Sequence, residues 1–236
     1  MSRRRARAGP MSVALATFVL VSTVPSSSTQ TWVTFRRNVD LASSAHPGPE
    51  HRRVVDHAYT ELASRRSIVE MDTTASASAT CRRCRAEAVT VHVLHHRRPV
   101  ATYLDNVATA WTGCRRRCRA VALSVQVVVV NRARRLLANN RALALNVGCR
   151  RCRTASAAFQ IVVVDRSLSP MTRPARRALG RWVDRQVEAL HVRADRGLVT
   201  SRTVPAQQAA AELRGLERVV NAGLGSTTLQ ASVRVG

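Results

Sequence analysis

Six cysteines in three close pairs are the residues of this chain best placed to do chemistry: Cys81 with Cys84 and Cys149 with Cys152 at C-x2-C spacing, Cys114 with Cys118 at C-x3-C. Such pairs can close local disulfides, offer thiolates to a metal, or exchange electrons, and the redox compartment largely selects among these. In an oxidising compartment the expected bonds are Cys81–Cys84, Cys114–Cys118 and Cys149–Cys152. Rings this small constrain little unfolded-chain entropy and would stiffen turns rather than hold a whole fold together. As an alternative, two pairs could hold zinc tetrahedrally, with His92, His95 or His96 as substitute ligands and one pair left over. A redox role would need the helix-start setting that lowers a thiol pKa, and no βαβ pattern supplies one. Arginines crowd the same places: Arg82, Arg83 and Arg85, then Arg115, Arg116, Arg117 and Arg119, then Arg150, Arg151 and Arg153. If the three cysteine turns lie side by side, these guanidiniums form a rim suited to bidentate contact with phosphate or carboxylate. The plainer alternative is a set of solvated turns in a chain whose 38 basic residues are all arginine. Gln126 and Gln160 occupy equivalent places after their cysteines and read either as cross-strand partners inside a sheet or as a shared binding site. No His-Glu-x-x-His, Gly-x-Ser-x-Gly, phosphate loop or dinucleotide fingerprint is present, so no catalytic residue is assigned.

These residues belong to an internal repeat. Cys84, Cys118 and Cys152 are 34 residues apart, and the segments after them align without gaps, as do Asn106-Val-Ala-Thr-Ala and Asn140-Arg-Ala-Leu-Ala before the last two. A tetratricopeptide has this period, but its Trp, Gly, Tyr and Pro positions are absent and the segments are rich in valine. Period two fits better. After Cys118, Val121, Leu123, Val125, Val127 and Val129 fall on one face and Ala120, Ala122, Ser124, Gln126 and Val128 on the other, as in a strand covered on both sides. With the Asn-x-Ala-x-Ala stretches as partner strands, the expected fold is α+β: an antiparallel sheet of three repeated hairpins, with a C-terminal helical hairpin. That hairpin is read from Leu179, Trp182, Val183, Val187 and Leu190 after Pro174, and from Ala209, Leu213, Leu216 and Val220 after Pro205. Earlier in the chain, Val54, Val55, Ala58, Tyr59 and Leu62 have helical spacing, which predicts a short helix within Glu50–Glu70, with His51 and His57 on or beside it.

The amino terminus has arginines at 3, 4, 5 and 7, an apolar run over Met11–Val24, and then Pro25 and serines. This is the layout of a cleaved secretory signal, too short to remain as a spanning anchor. The expected organisation is a signal peptide over 1–28, a linker over 29–49, the helix and cysteine-hairpin region over 50–168, the helical hairpin over 169–224 and a tail over 225–236. The formal charge of +24 falls to +20 once the signal is removed. With aromatics at 3% the chain lacks stacking platforms for single-stranded nucleic acid. The expected setting is extracytoplasmic, without a membrane anchor. The expected partner is an anionic cell-envelope polymer or another exported protein, not nucleic acid.

The repeated Cys-x-x-Cys-Arg pattern leading to Gln and Val or Ile, preceded by Asn-x-Ala-x-Ala and followed by an arginine-rich helical tail, resembles a group of exported actinobacterial proteins without a characterised activity. Similar regions end chains described as peptide zinc metalloproteases. The resemblance runs from about Asp72 to Leu224. It implies an exported structural or interaction module without catalysis of its own; the alternatives are a zinc-binding module working with a membrane peptidase and an extracytoplasmic thiol oxidoreductase. The sequence departs from the pattern at the Cys114 spacing, at His92 in the Gln position, and in placing Arg-Arg where small turn residues are expected.

Overall fold

The computed structural model describes residues 36–132, 135–165, 167–196 and 206–236. The signal-like segment 1–28 lies outside them. Eight strands follow one another: β1 (Arg36–Ala45), β2 (Arg53–Ser64), β3 (Ile68–Ala79), β4 (Arg85–His96), β5 (Ala101–Thr112), β6 (Arg119–Val130), β7 (Arg135–Asn146) and β8 (Arg153–Val164). None pairs with its sequence neighbour. Each lies parallel to the strand two further on, which gives a sheet β1-β3-β5-β7 and a second sheet that begins β2-β4-β6-β8. The chain therefore winds as a β-solenoid of four coils, one strand per sheet in each coil.

This replaces the expected antiparallel sheet of hairpins. Hairpins and coils share the same period and the same alternating faces, so the sequence pattern is compatible with both. A parallel pair needs a crossover of about a dozen residues, and here the strand of the opposite sheet is that crossover. Parallel stacking also sets equivalent residues in ladders. Asn106 lies opposite Asn140 and Gln126 opposite Gln160, and each ladder is joined by side-chain amides, from Asn106 Nδ2 to Asn140 Oδ1 at 2.9 Å and from Gln160 Nε2 to Gln126 Oε1 at 2.7 Å.

The expected helix within Glu50–Glu70 is instead β2 and the start of β3, and Arg36–Ala45 of the expected linker is β1. The apolar residues of β2 fit either period over so short a run. Thirty-two residues separate Arg53 from Arg85, against thirty-four from Arg85 to Arg119, so an ungapped repeat does not extend into the first coil.

Between the sheets the interior has three zones. Alanines fill the end nearest the cysteines, and Val39, Val69, Met71, Leu94, Leu104, Val128, Val130 and Val162 fill the other end. A buried polar belt of Thr73, His92, Asn106, Ser124, Gln126 and Gln160 lies between them. Outside the second sheet, the Val121–Val129 face and its equivalents on β4 and β8 are covered by α1 (Arg173–Asp195) and α2 (Ala206–Leu224). Thr172 caps α1 by accepting from the amide of Ala175, with Pro174 in its first turn. The helices approach closely where a Cβ at Gly223 would lie 2.6 Å from Ala175 Cβ. The C-terminal segment, expected as a tail, forms β9 (Thr227–Val235), which pairs antiparallel with β8 and closes that sheet edge.

His92 holds the Gln position in the first copy, opposite Gln126. It is fully buried, with Nδ1 3.1 Å from Thr73 Oγ1 and Nε2 without a hydrogen-bond partner among the described residues. Burial pushes its pKa down to about 4. The folded value lies below the ordinary 6.5, so between the two the unfolded chain binds the extra proton. The stabilisation from keeping His92 neutral is complete above the ordinary value and is lost as pH falls toward the folded one, about 3 kcal/mol in all. His92→Gln, which restores the residue of the other copies, should flatten the urea midpoint over that acid range relative to the parent. An unchanged pH profile in the variant would assign acid sensitivity to other groups.

Candidate functional site

Every cysteine turn connects the end of a first-sheet strand to the start of a second-sheet strand, so the three turns stack along one corner of the solenoid. The cysteines pair within their turns, Cys81 with Cys84, Cys114 with Cys118 and Cys149 with Cys152, at Cα–Cα separations of 5.4, 6.3 and 5.7 Å. Backbone bonds tie neighbouring turns together: the amide of Arg83 donates to the Arg116 carbonyl at 3.2 Å, that of Arg117 to Arg150 at 3.1 Å, and that of Arg150 to Arg115 at 3.4 Å. Stacking also brings sulfurs of different turns together. Cys114 Sγ lies 3.5 Å from Sγ of both Cys149 and Cys152, and the four sulfurs of the last two turns lie within 4.8 Å of one another, an arrangement that could hold a metal.

The arginines follow the same stacking. Arg82, Arg83, Arg115, Arg116, Arg117, Arg150 and Arg151 are all exposed on these turns. Beside them runs a ladder absent from the sequence reading as a unit: Arg53, Arg85, Arg119 and Arg153 are successive register partners across four strands. Arg53 escaped notice because its coil is shorter, although it begins β2 as the other three begin β4, β6 and β8. Rungs stand about 4.8 Å apart, a spacing at which two like charges repel by about 1 kcal/mol even in water. At half-buried Arg119, burial first and then the guanidiniums of Arg85 and Arg153 lower the pKa, while Glu188 raises it. Asp195, the last residue of α1, answers part of the charge by pairing with Arg119 and, at 2.5 Å, with Arg153 Nη1. Next to the ladder, Glu87 bridges His57 Nε2 at 2.8 Å and His191 Nε2 at 2.7 Å. The hydrogen bond from His191 leads in pulling the Glu87 pKa down, against the opposing effect of burial.

Arg85, Arg117, Arg119, Arg151 and Arg153 line, with Cys118, an open groove of about 360 Å³; among the described residues no carboxylate lines it, and Asp195 reaches its edge by pairing with Arg119 and Arg153. Among the described residues Arg85, Arg117 and Arg151 make no ion pair. Besides Asp195, Glu87 and Glu188 beside the ladder, a second acidic set lies away from it: Asp40, Asp72 and Asp105 are register partners on the outer face of the first sheet, and burial and its two neighbours raise the Asp72 pKa.

Arg83, Arg117 and Arg151 have φ of 61°, 56° and 57°, the left-handed region that costs an L-residue about 1–2 kcal/mol and glycine almost nothing. The same left-handed conformation recurs at the same place in three coils, and outside these turns Arg98 and Leu168 also adopt it. Arg117→Gly should raise stability by about 0.5 kcal/mol, once glycine's greater unfolded-state freedom is set against the relieved strain. Thermal denaturation checks this; a fall in the midpoint would mean that the guanidinium stabilises the turn.

Gln126 and Gln160 are not at this corner. Both are buried inside the coil, with Gln126 Nε2 near the carbonyls of Met71 (3.1 Å) and Asp105 (3.2 Å) and Gln160 Nε2 near that of Asn139 (3.1 Å). They serve as the cross-strand partners that the sequence offered as one of two readings. His95, one of the substitute ligands considered for zinc, pairs with Glu61 at 2.9 Å, at the opposite end of β4 from the cysteines.

Fold and corner together define a disulfide-bearing parallel β-solenoid with a two-helix cover and an arginine-lined edge. Compared with protein-family models, curated proteins and solved structures, the chain matches none.

Proposed function

We propose that this protein is an exported, non-catalytic interaction module whose arginine edge binds an anionic polymer of the cell envelope. The groove lined by Arg85, Arg117, Arg119, Arg151 and Arg153, with no lining carboxylate among the described residues, carries this reading. A linear polyanion with regularly spaced phosphates or carboxylates can follow the stacked coils. It would replace guanidinium repulsion with bidentate contacts and release its own counterions. Local disulfides suit an oxidising compartment, and no described helix is long and apolar enough to cross a membrane. The resemblance to exported actinobacterial proteins is consistent with that setting.

The test is retention on a polyanionic matrix across a salt gradient, comparing the parent with a variant in which Arg85, Arg117, Arg151 and Arg153 are all glutamine. The parent should elute well above physiological salt, and the variant at markedly lower salt with a shallower salt dependence. Equal elution of the two would move any binding to the remaining arginines and defeat the assignment.

A further inference from the structure

Cys114, Cys118, Cys149 and Cys152 form two stacked pairs whose sulfurs are closer across coils than two independent disulfides require. We propose that reduction of these two pairs creates a tetrathiolate site for a soft d10 cation, Zn2+ foremost, so that the corner alternates between two disulfides and one metal centre. Tetrahedral zinc with Zn–S bonds of about 2.3 Å places its sulfurs about 3.8 Å apart. Cys114 Sγ already stands 3.5 Å from two partners, and all four sulfurs lie within 4.8 Å of one another.

What holds the four together is backbone, not the disulfides. The amides of Arg117 and Arg150 bond across the two turns, and Arg116 and Arg150 form a parallel bridge. Opening both S–S bonds therefore leaves the turns in register. The amide of Cys118 donates to Cys152 Sγ at 3.2 Å, a contact that favours thiolate over thiol. Neighbouring guanidiniums offset the two negative charges that four thiolates leave around one Zn2+. Cys114 and Cys118 are buried while Cys149 and Cys152 are partly open, so a cation has an approach from solvent. The first pair is outside this group: the close sulfurs are those of Cys114, Cys118, Cys149 and Cys152, while Cys81 Sγ lies 3.4 Å from the Pro47 carbonyl and the first turn meets the cluster through its backbone, the Cys81 carbonyl standing 2.8 Å from Cys118 Sγ.

Each disulfide takes two electrons and two protons from an external dithiol, which is itself oxidised to a disulfide. The four resulting thiols give up their protons as they bind zinc. This goes beyond the polyanion reading and needs no polymer.

The experiment uses the full chain, as purified and after anaerobic reduction by a dithiol that is then removed. Bound zinc is counted by mass spectrometry and the ligand set is read from the absorption of Co2+ in its place. Expected are no zinc on the oxidised protein, one ion per reduced chain, a tetrahedral thiolate spectrum with cobalt, and an unchanged β-sheet circular dichroism signal. Cys114→Ser with Cys149→Ser should weaken zinc binding about 100-fold or more, while Cys81→Ser with Cys84→Ser should leave it intact. A reduced chain that takes up no zinc, folded or not, overturns the proposal. So does uptake that survives the first double substitution and disappears with the second.

Discussion

Trp182→Ala is expected to cost about 3–5 kcal/mol, the range for truncating a buried aromatic whose site cannot collapse. The indole of α1 is 2% exposed and meets the Phe159 ring of β8 edge to face, with centroids 4.9 Å apart at 85°. A Cβ at Gly215 of α2 would come within 3.1 Å of the indole Nε1, so the same ring also fills the gap between the helices. Its loss should loosen both helices from the valine face of β6 and β8. Hydrogen exchange should show this as reduced protection in α1, α2, β8 and β9, while β3 and β5 in the other sheet stay protected, because solenoid coils are stabilised chiefly by their neighbours. A loss below about 1 kcal/mol in urea denaturation, or a uniform loss of protection, would refute a role for Trp182 as the anchor of the helical cover.

Gln126→Ala has the second large effect, about 2–4 kcal/mol, from a cavity and from buried groups left without partners. Gln126 accepts from Gln160 Nε2 at 2.7 Å, and its own Nε2 lies 3.1 Å from both the Met71 carbonyl and Thr73 Oγ1. Removing it leaves Gln160 Nε2 with the Asn139 carbonyl alone. Exposed Gln230, on β9, supplies the comparison: Gln230→Ala should change stability by no more than about 0.5 kcal/mol. If Gln126→Ala were as mild, the polar belt would not be stabilising. Full stability with lost ligand binding would instead return Gln126 to the role of a surface site, which its burial argues against.

The two residues show where sequence reading reaches and where it stops. Trp182 was legible because a helix packed on a sheet repeats its apolar residues every three or four positions, and α1 and α2 occur where that pattern falls. The faces of β6 and β8 were legible for the same kind of reason, since large residues on one side and small ones on the other record two different coverings. Gln126 stayed ambiguous. An amide at a repeated position looks the same whether it points into a ligand site or bonds to its own copy in the next coil. The first coil was missed because β2 is an edge strand with Val55 and Tyr59 exposed, so its residues carry little record of what they pack against.

Sequence alone determined what is local. Cysteines three or four residues apart lie within reach of one another, a proline-led apolar stripe makes a helix, and a 34-residue repeat makes equivalent units. Tertiary structure decided how those units stack. Parallel and antiparallel arrangements bury the same faces, and only the parallel one places residue on like residue at about 4.8 Å. That stacking turns scattered arginines into the Arg53–Arg85–Arg119–Arg153 ladder and brings sulfurs of separate turns to 3.5 Å. Neither feature is encoded in any one repeat, because each arises from the contact between two.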